Sequence, residues 1–459
     1  MNSITRSLIL LFSLASAAPG AATDFDLRGF INAQIKAGAK RITIPPGRYR
    51  VVPDHGRHLF LKDLADIEII ADGVEMTCTQ TCQALGFEGC KNVTFRGVTI
   101  DYNPLPFTEG RITALAPDKS WVEFQVFGGY PETALEERVE IYDPATRELR
   151  RETTGWEKEF QSLGEHRYRA TKPKHYRYRP ETDTEQVGDI LVTSNQSAPG
   201  VGGHAIVAVS CVALKLQDIT LYSANSFGFL EDRCDGSTYL RCKIDRRSME
   251  EDPVKREFPR MRSLDADAFH STQALRGPAI IDCTAKFQGD DCVNIHGQYH
   301  LVTASAGSHI RVATLGRLTL AVGDPLEFLP FKGPRPTDAV CRAIVPAPSI
   351  TDEEIAFFKK VSLHSEMKKH LLEGHAKFYD VTLDHDVNLP MGSAVTSGNR
   401  TGNGFAVKGC DFGFNRSRGI LIKASRGEVS GNTITHGWMA AVLVSPEYWW
   451  LESASSSDV

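Results

Sequence analysis

Several things are scarce in this 459-residue chain, and each scarcity narrows the field. Beyond the N-terminus no stretch reaches the ~18 consecutive apolar residues of a membrane-spanning helix, so the mature chain is expected to be soluble. There is no basic surplus. Lys and Arg total 52 against 57 Asp and Glu, and the formal net charge of −5 argues against a nucleic-acid partner. Ten cysteines are too few to build a disulfide scaffold at this length, although Cys78, Cys82 and Cys90 cluster and could supply one bridge after export. Paired zinc-ligand spacings are missing too. CTQTC is a lone cysteine pair with no converging His or Cys, so neither a metal nor another cofactor is expected.

What is present begins with a leader. Arg6, the apolar run Ser7–Leu14 and the small residues Ala15-Ser16-Ala17 have the three parts of a secretory signal peptide over residues 1–22. The expected location is periplasmic or secreted, with no membrane contact after cleavage.

The body carries a repeat. CKNVTFRGVTI from Cys90, CVALKLQDITL from Cys211 and CDGSTYLRCKI from Cys234 align on cysteine, the last two 23 residues apart. Cys242 aligns with Cys283, Cys410 and Asn432, so Cys242 and Cys283 are expected to stack as small apolar residues inside the body. A second strand type recurs as FGFLE (Phe227), DAFHS (Asp267), DCVNI (Asp291), RGILI (Arg418) and AAVLV (Ala440). Short strands at a period of 22–24 residues, punctuated by Gly and Asn, predict the rungs of a parallel β-helix.

Rungs stack about 4.8 Å apart. Asp267 and Asp291, 24 residues apart, then lie one above the other, with Arg418 in the same column. Five residues on stand Asp232, Thr272, His296 and Lys423. Two polar rows on one face make a groove. Stacked like charges raise one another's proton affinity and cost stability, which points to function.

The remaining segments fall around this solenoid. Residues 23–104 read as an N-terminal cap and first rungs. Asp24 or Asp26 caps a helix that Gly38 stops, and that helix covers the open first rung. The rhythm breaks at Pro104. Residues 105–200 and 298–395 read as two β-barrel insertions sharing a VGDxL phrase (Gly188-Asp189-Ile190-Leu191 and Gly323-Asp324-Pro325-Leu326), with a helix over 351–373 inside the second. Within the first, the basic, aromatic stretch 164–180 reads as a solvated hairpin rather than a polyanion site. Residues 201–297 are the catalytic rungs and 396–459 the C-terminal rungs.

Asp267, Asp290 and Asp291 are the candidate catalytic residues. Two carboxyls facing one bond suffice for glycoside hydrolysis, one protonating the leaving oxygen and the other activating water. A third can keep its neighbour protonated near neutrality. A single Asp between strands is ordinarily a turn residue; three in adjacent rungs beside two histidines are not. His270 and His296 can bind sugar hydroxyls or orient a carboxylate. Asn294 can bond a hydroxyl or stack along the rungs. Arg418 and Lys423 can bind substrate or compensate the aspartates. Glu447, Trp449 and Trp450 can form a platform for a sugar face or an apolar cap.

SLDADAFHSTQ, FQGDDCVNIHG, NRSRGILIKA and WLES resemble glycoside hydrolase family 110, the exo-acting α-1,3-galactosidases. The general Asp, Asp-Asp, His-Gly, Arg/Lys layout more distantly resembles the polygalacturonases. The first resemblance covers most of the mature chain. It implies a right-handed β-helix and an inverting, metal-free hydrolase of terminal α-1,3-linked galactose, with its carboxylates at Asp267, Asp290 and Asp291. The partners it implies are terminal α-galactosyl oligosaccharides or glycoconjugates. Members of that family usually continue through further rungs after the WLES segment, whereas this sequence stops. Two other classes fit the same groove: a pectin-type hydrolase or lyase, the lyase needing Ca²⁺ and a basic Arg or Lys, and a non-catalytic glycan-binding solenoid.

Overall fold

The structure is a computed structural model that describes residues 25–132, 135, 139–150, 160–173, 177–179, 183–194 and 203–459. The proposed leader lies outside the described residues. The body is a right-handed parallel β-helix made of three parallel sheets, each supplied with one strand per turn over eight turns. One sheet carries the candidate residues and is called the groove sheet. Its strands are Arg57–Lys62, Gln83–Glu88, Ile206–Val209, Phe229–Asp232, Phe269–Thr272, Val293–Gln298, Ile420–Lys423 and Val442–Val444.

Inward-facing residues of successive turns stack in columns. One runs Ile69, Phe95, Leu216, Tyr239, Ile280, Val407 and Val429 through consecutive register pairs. In the groove sheet the rings of Phe229 and Phe269 stack 4.9 Å apart. Each such ring removes some hundred or more Å² from water, at about 25 cal/mol per Å², so the columns supply most of the holding force.

The cysteines follow the expected columns. Cys90, Cys211 and Cys234 precede paired residues of adjacent turns, as do Cys242, Cys283 and Cys410. Asn432 ends the second column, its Oδ1 accepting from the Cys410 amide at 2.9 Å and its Nδ2 donating to the Val407 carbonyl at 2.8 Å. All ten cysteines are free and buried. No bridge joins Cys78, Cys82 and Cys90. Cys90 heads its own column in a later strand, and the Cys82 thiol turns toward His58 Nδ1 at 3.7 Å.

Helix α1, Leu27–Lys36, covers the first turn with Leu27 and Ile31 buried. Asp26 is its cap, accepting from the Gly29 amide at 2.8 Å, and Gly38 ends it at φ +79°.

The two insertions differ. Residues 300–397 close into a six-stranded barrel. The described strands between 107 and 194 instead form an open six-stranded antiparallel sheet, correcting the expected first barrel. Its edge strand Gln161–Gly164 is largely exposed, with no covered face to close against. That strand and Arg167–Thr171 pair as a hairpin whose second arm falls in the basic stretch 164–180, of which residues 174–176 and 180 lie outside the described residues. The VGD phrase marks the same turn in both insertions. Asp189 and Asp324 each accept at 2.9 Å from the amide three residues earlier, Gln186 and Ala321, while Gly188 and Gly323 hold φ of +99° and +93°.

The helix expected over 351–373 is two helices, α2 (Asp352–Phe358) and α3 (Ser365–Leu372). Between them Val361 and Leu363 are both buried, a two-residue alternation that a helix cannot bury on one face. Thr351 caps α2 in a reciprocal box with Glu354.

Three excursions surround the groove sheet: the open sheet before Ile206, residues 245–268 before Phe269, and the barrel after Gln298. Arg262, fully buried, ties the first two together through Glu140 (3.1 Å), Ser194 (2.8 Å) and Asp265 (3.0 Å). Asp265 is thus a structural anchor here.

Candidate active site

The columns read from the sequence exist. Phe229, Phe269, Val293 and Ile420 are register partners, which places Phe227, Asp267, Asp291 and Arg418 two residues earlier in one column. At the strand ends Asp232, Thr272, His296 and Lys423 are likewise partners. His270 pairs with Asn294 between the two rows.

Asp267 is buried at the centre. Its Oδ1 accepts from the Asp291 amide at 3.2 Å and its Oδ2 stands 2.7 Å from His270 Nδ1. The hydrogen bonds fix where the proton sits. His296 Nδ1 donates to the Gly297 carbonyl at 2.6 Å, leaving its Nε2 an acceptor. His270 Nε2, 2.9 Å away, must then donate to it, which leaves His270 Nδ1 an acceptor. The hydrogen bond to Asp267 therefore needs the proton on Asp267, unless His270 is charged. Burial lowers His270 and, with the charges of Asp291 and Glu452, raises Asp267 well above the usual carboxylate range. His296 is lowered to about 4, chiefly by burial. Geometry and electrostatics agree on a neutral, proton-bearing Asp267.

Asp291 has a different task. Its Oδ1 accepts from the Arg418 amide and Nε, both at 2.8 Å, and its Oδ2 accepts from Nη2 at 2.6 Å. With only 1% of its surface exposed, it is the buried ion-pair partner of the Arg418 guanidinium. Asp290 is the accessible carboxylate, its side chain 35% exposed and 3.5 Å from Arg416 Nη2.

Lys423 is fully buried and its ammonium meets Asn294 Oδ1 (3.1 Å), Glu452 Oε2 (2.5 Å) and Glu447 Oε2 (3.1 Å). Arg418 also reaches Glu447 at 2.7 Å. Arg418 and Lys423 thus compensate carboxylates, and Asn294 completes that network, its Nδ2 donating to Glu452 at 3.2 Å.

Sequence reasoning missed two groups. Glu452 returns from the end of the chain, where Glu452–Ser453 pairs antiparallel with Gly297 and Gln298. A buried lysine demands such a carboxylate, which was the available signal. His204 and Phe227 form a stack on His270, with rings 4.7 Å and 4.3 Å apart, and hold its imidazole in plane. The Trp449–Trp450 pair docks on the second insertion, with His364 stacked on Trp450 at 4.1 Å.

Beside the second row opens a cleft of about 360 Å³, bounded by Asp232, Thr272, His296, Met367, Trp450 and Glu452 among others. That is a volume suited to a small ligand. Two groups could offer ligands to a cation: His270, His296 and Glu452, and the three aspartates Asp267, Asp290 and Asp291, with donor atoms within 4.8 Å of one another in each. In both, a cation would compete with an existing one, Lys423 on Glu452 or Arg418 on Asp291. The donor sets are better matched to these side chains than to a metal.

No protein-family model matches the chain, and no curated protein matches it. Solved structures similar to it include the A-modules of the mannuronan C-5 epimerases AlgE4 and AlgE6 of Azotobacter vinelandii. They are 9% and 11% identical over 94% of this chain and over 72% and 78% of theirs, with TM-scores of 0.36 and 0.33. Scores this low carry no functional argument.

Proposed function

We propose that the protein is a carbohydrate-active enzyme that hydrolyses glycosidic bonds, with Asp267 as general acid and Asp290 as general base. The observation that carries this is the buried, proton-bearing Asp267, hydrogen-bonded to His270 and adjacent to a half-exposed Asp290. A carboxylic acid kept neutral beside an ionised, solvent-reaching carboxylate is the pairing that acid/base cleavage of an acetal requires.

His270 holds the Asp267 proton in place until a leaving oxygen approaches. Asp291 fixes Arg418 and sustains the raised proton affinity of Asp267. His296 and Glu452 present polar groups to the cleft, where Trp450 offers a face to a sugar ring.

The finer reading follows the family resemblance: terminal α-1,3-linked galactose as the leaving sugar, inversion at its anomeric carbon, and export by residues 1–22. Nearest oxygens of the three aspartates lie within 4.8 Å, but carboxyl centres lie further apart than their nearest oxygens. Asp290 can also turn outward into solvent. Both leave room for the water that inversion needs, at a usual carboxyl separation of roughly 6.5–9.5 Å. Hydrolysis of an aryl α-galactoside followed by NMR tests the hydrolysis and its stereochemistry, a defined Gal-α-1,3-Gal oligosaccharide tests the linkage, and mass spectrometry of the N-terminus of protein from its native host tests export. Initial release of β-galactose is expected; initial α-galactose refutes inversion, and no hydrolysis across a panel of aryl glycosides refutes the enzyme reading. One observation favours a non-catalytic glycan-binding protein instead: the cleft borders the second row rather than the aspartate column.

A further inference from the structure

A second, smaller concavity of about 170 Å³ lies where the barrel meets the groove sheet, and three arginines line it: Arg233, Arg317 and Arg400. They come from separate places. Arg233 follows the strand Phe229–Asp232, Arg317 precedes the barrel strand Pro325–Leu329, and Arg400 follows the last barrel strand. Like charges gathered from three segments repel unless something answers them. Asp232 is in an ion pair with Arg233 and near enough to Arg317 to feel its charge. Asp324, behind the lining, is taken up by the Ala321 amide and by Ser397 and Asn399. Neither Arg317 nor Arg400 has an ion-pair partner among the described residues. The Arg233 Nε is buried and donates to nothing among the described residues. Of the three lining arginines, only Arg233 is held in an ion pair among the described residues.

We infer that this concavity binds an anionic substituent of the glycan, a sulfate ester or a uronate carboxylate. The concavity has room for a charged substituent of a few atoms within reach of the three arginines. Guanidinium forks match the planar or tetrahedral oxygens of such groups. Asp232 lines the 360 Å³ cleft and is ion-paired with its neighbour Arg233, which lines this concavity, so a saccharide in the cleft can place its charged group among the arginines. The inference rests on reading the cleft as a glycan site, and it changes the substrate class from neutral to acidic.

Calorimetric titration of the full-length Asp267→Asn protein, which holds ligand without turnover, provides the test. The probes are a galacturonate trisaccharide, a sulfated galactotriose and unmodified galactotriose, at low and high NaCl. The expected result is at least about tenfold tighter binding of one or both anionic probes, a gap that narrows with salt. Which anionic probe wins identifies the substituent. In the Arg317→Ala/Arg400→Ala background, checked for folding by circular dichroism, the gap should disappear. Equal affinity for charged and neutral probes overturns the inference, as does a gap that survives the double substitution. Binding of no saccharide overturns both this inference and the glycan cleft. Absence of hydrolysis by the wild type, with the anionic preference intact, overturns the enzyme reading alone.

Discussion

Asp291 and Arg418 lie 127 residues apart in the chain and one turn apart in the β-helix, joined by three hydrogen bonds of 2.6–2.8 Å. The barrel inserted between them does not disturb the column, because the strand Val293–Gln298 pairs directly with Ile420–Lys423. This pair divides labour among the aspartates. Asp291 is tied up in this ion pair, whereas in the proposed mechanism Asp267 and Asp290 face the chemistry.

That division predicts different outcomes for neighbouring substitutions. Asp291→Asn leaves Arg418 short of a partner in a largely buried place, at a cost on the order of 3 kcal/mol. Its thermal midpoint should fall by several degrees. Asp290→Asn, at a half-exposed position, should melt with the wild type yet lose turnover. Differential scanning fluorimetry of the two variants checks this; equal midpoints would remove the structural role assigned to Asp291.

Asp267→Asn should lower kcat by a factor on the order of 10²–10⁴ with folding intact. In the proposed mechanism the proton-bearing form is the active one, and burial with the charges of Asp291 and Glu452 raises its affinity for the proton. Activity should persist above the ordinary carboxylate range and fall as pH rises through the raised value. His270→Gln, which changes the hydrogen-bond partner, should move that basic limb. A basic limb at an ordinary carboxylate pH, unmoved by His270→Gln, would contradict Asp267 as the acid.

Much of this site was legible before any coordinates, for a physical reason. A β-helix converts sequence period into vertical stacking, so cysteines 23 residues apart at 211 and 234 disclose the register. From that register the Asp267–Asp291–Arg418 column follows. Closure of a barrel is different. It depends on pairing between strands far apart in sequence, and the repeat says nothing about it; among the described residues the strands around Phe107–Leu115, expected to close as a barrel, form an open sheet. Glu452 was obscure for a related reason. It leaves the repeat and returns as an antiparallel strand on Gly297 and Gln298. Its alignment with Lys423 depends on that docking and not on any period.

Chelation should leave hydrolysis intact. Arg418 sits between Asp291 and Glu447, and Lys423 between Glu447 and Glu452, so the acidic groups already have cations. Assay after dialysis against EDTA, with and without added Ca²⁺, tests the point. Loss of activity restored by Ca²⁺ would favour the lyase class instead.

Acid should act on the β-helix through its buried imidazoles, and His58 gives the clearest case. His58 Nδ1 donates to the Gln83 carbonyl at 2.9 Å, and Nε2 accepts from the Thr79 amide at 3.1 Å. A second proton would sit on Nε2 and turn that acceptor into a donor facing another donor. Burial, the largest cause, lowers His58 from 6.5 to about 4. The sign follows. Between those two values the unfolded chain takes up a proton that the folded chain refuses, so this contribution to stability is lost as pH falls from 6.5 toward 4. At ~1.36 kcal/mol per unit the loss is at most about 3 kcal/mol. Other groups titrate in the same window, some with the opposite sign; Glu109, raised to about 7 chiefly by burial, is one. The diagnostic quantity is therefore a difference. Wild type and His58→Gln should be melted in denaturant at pH 7 and pH 4.5. His58→Gln is expected to be less stable at pH 7, where it lacks the imidazole's fitted bonds. The gap should shrink or reverse at pH 4.5. A gap that stays constant across the two pH values would show that His58 keeps its ordinary proton affinity in the fold.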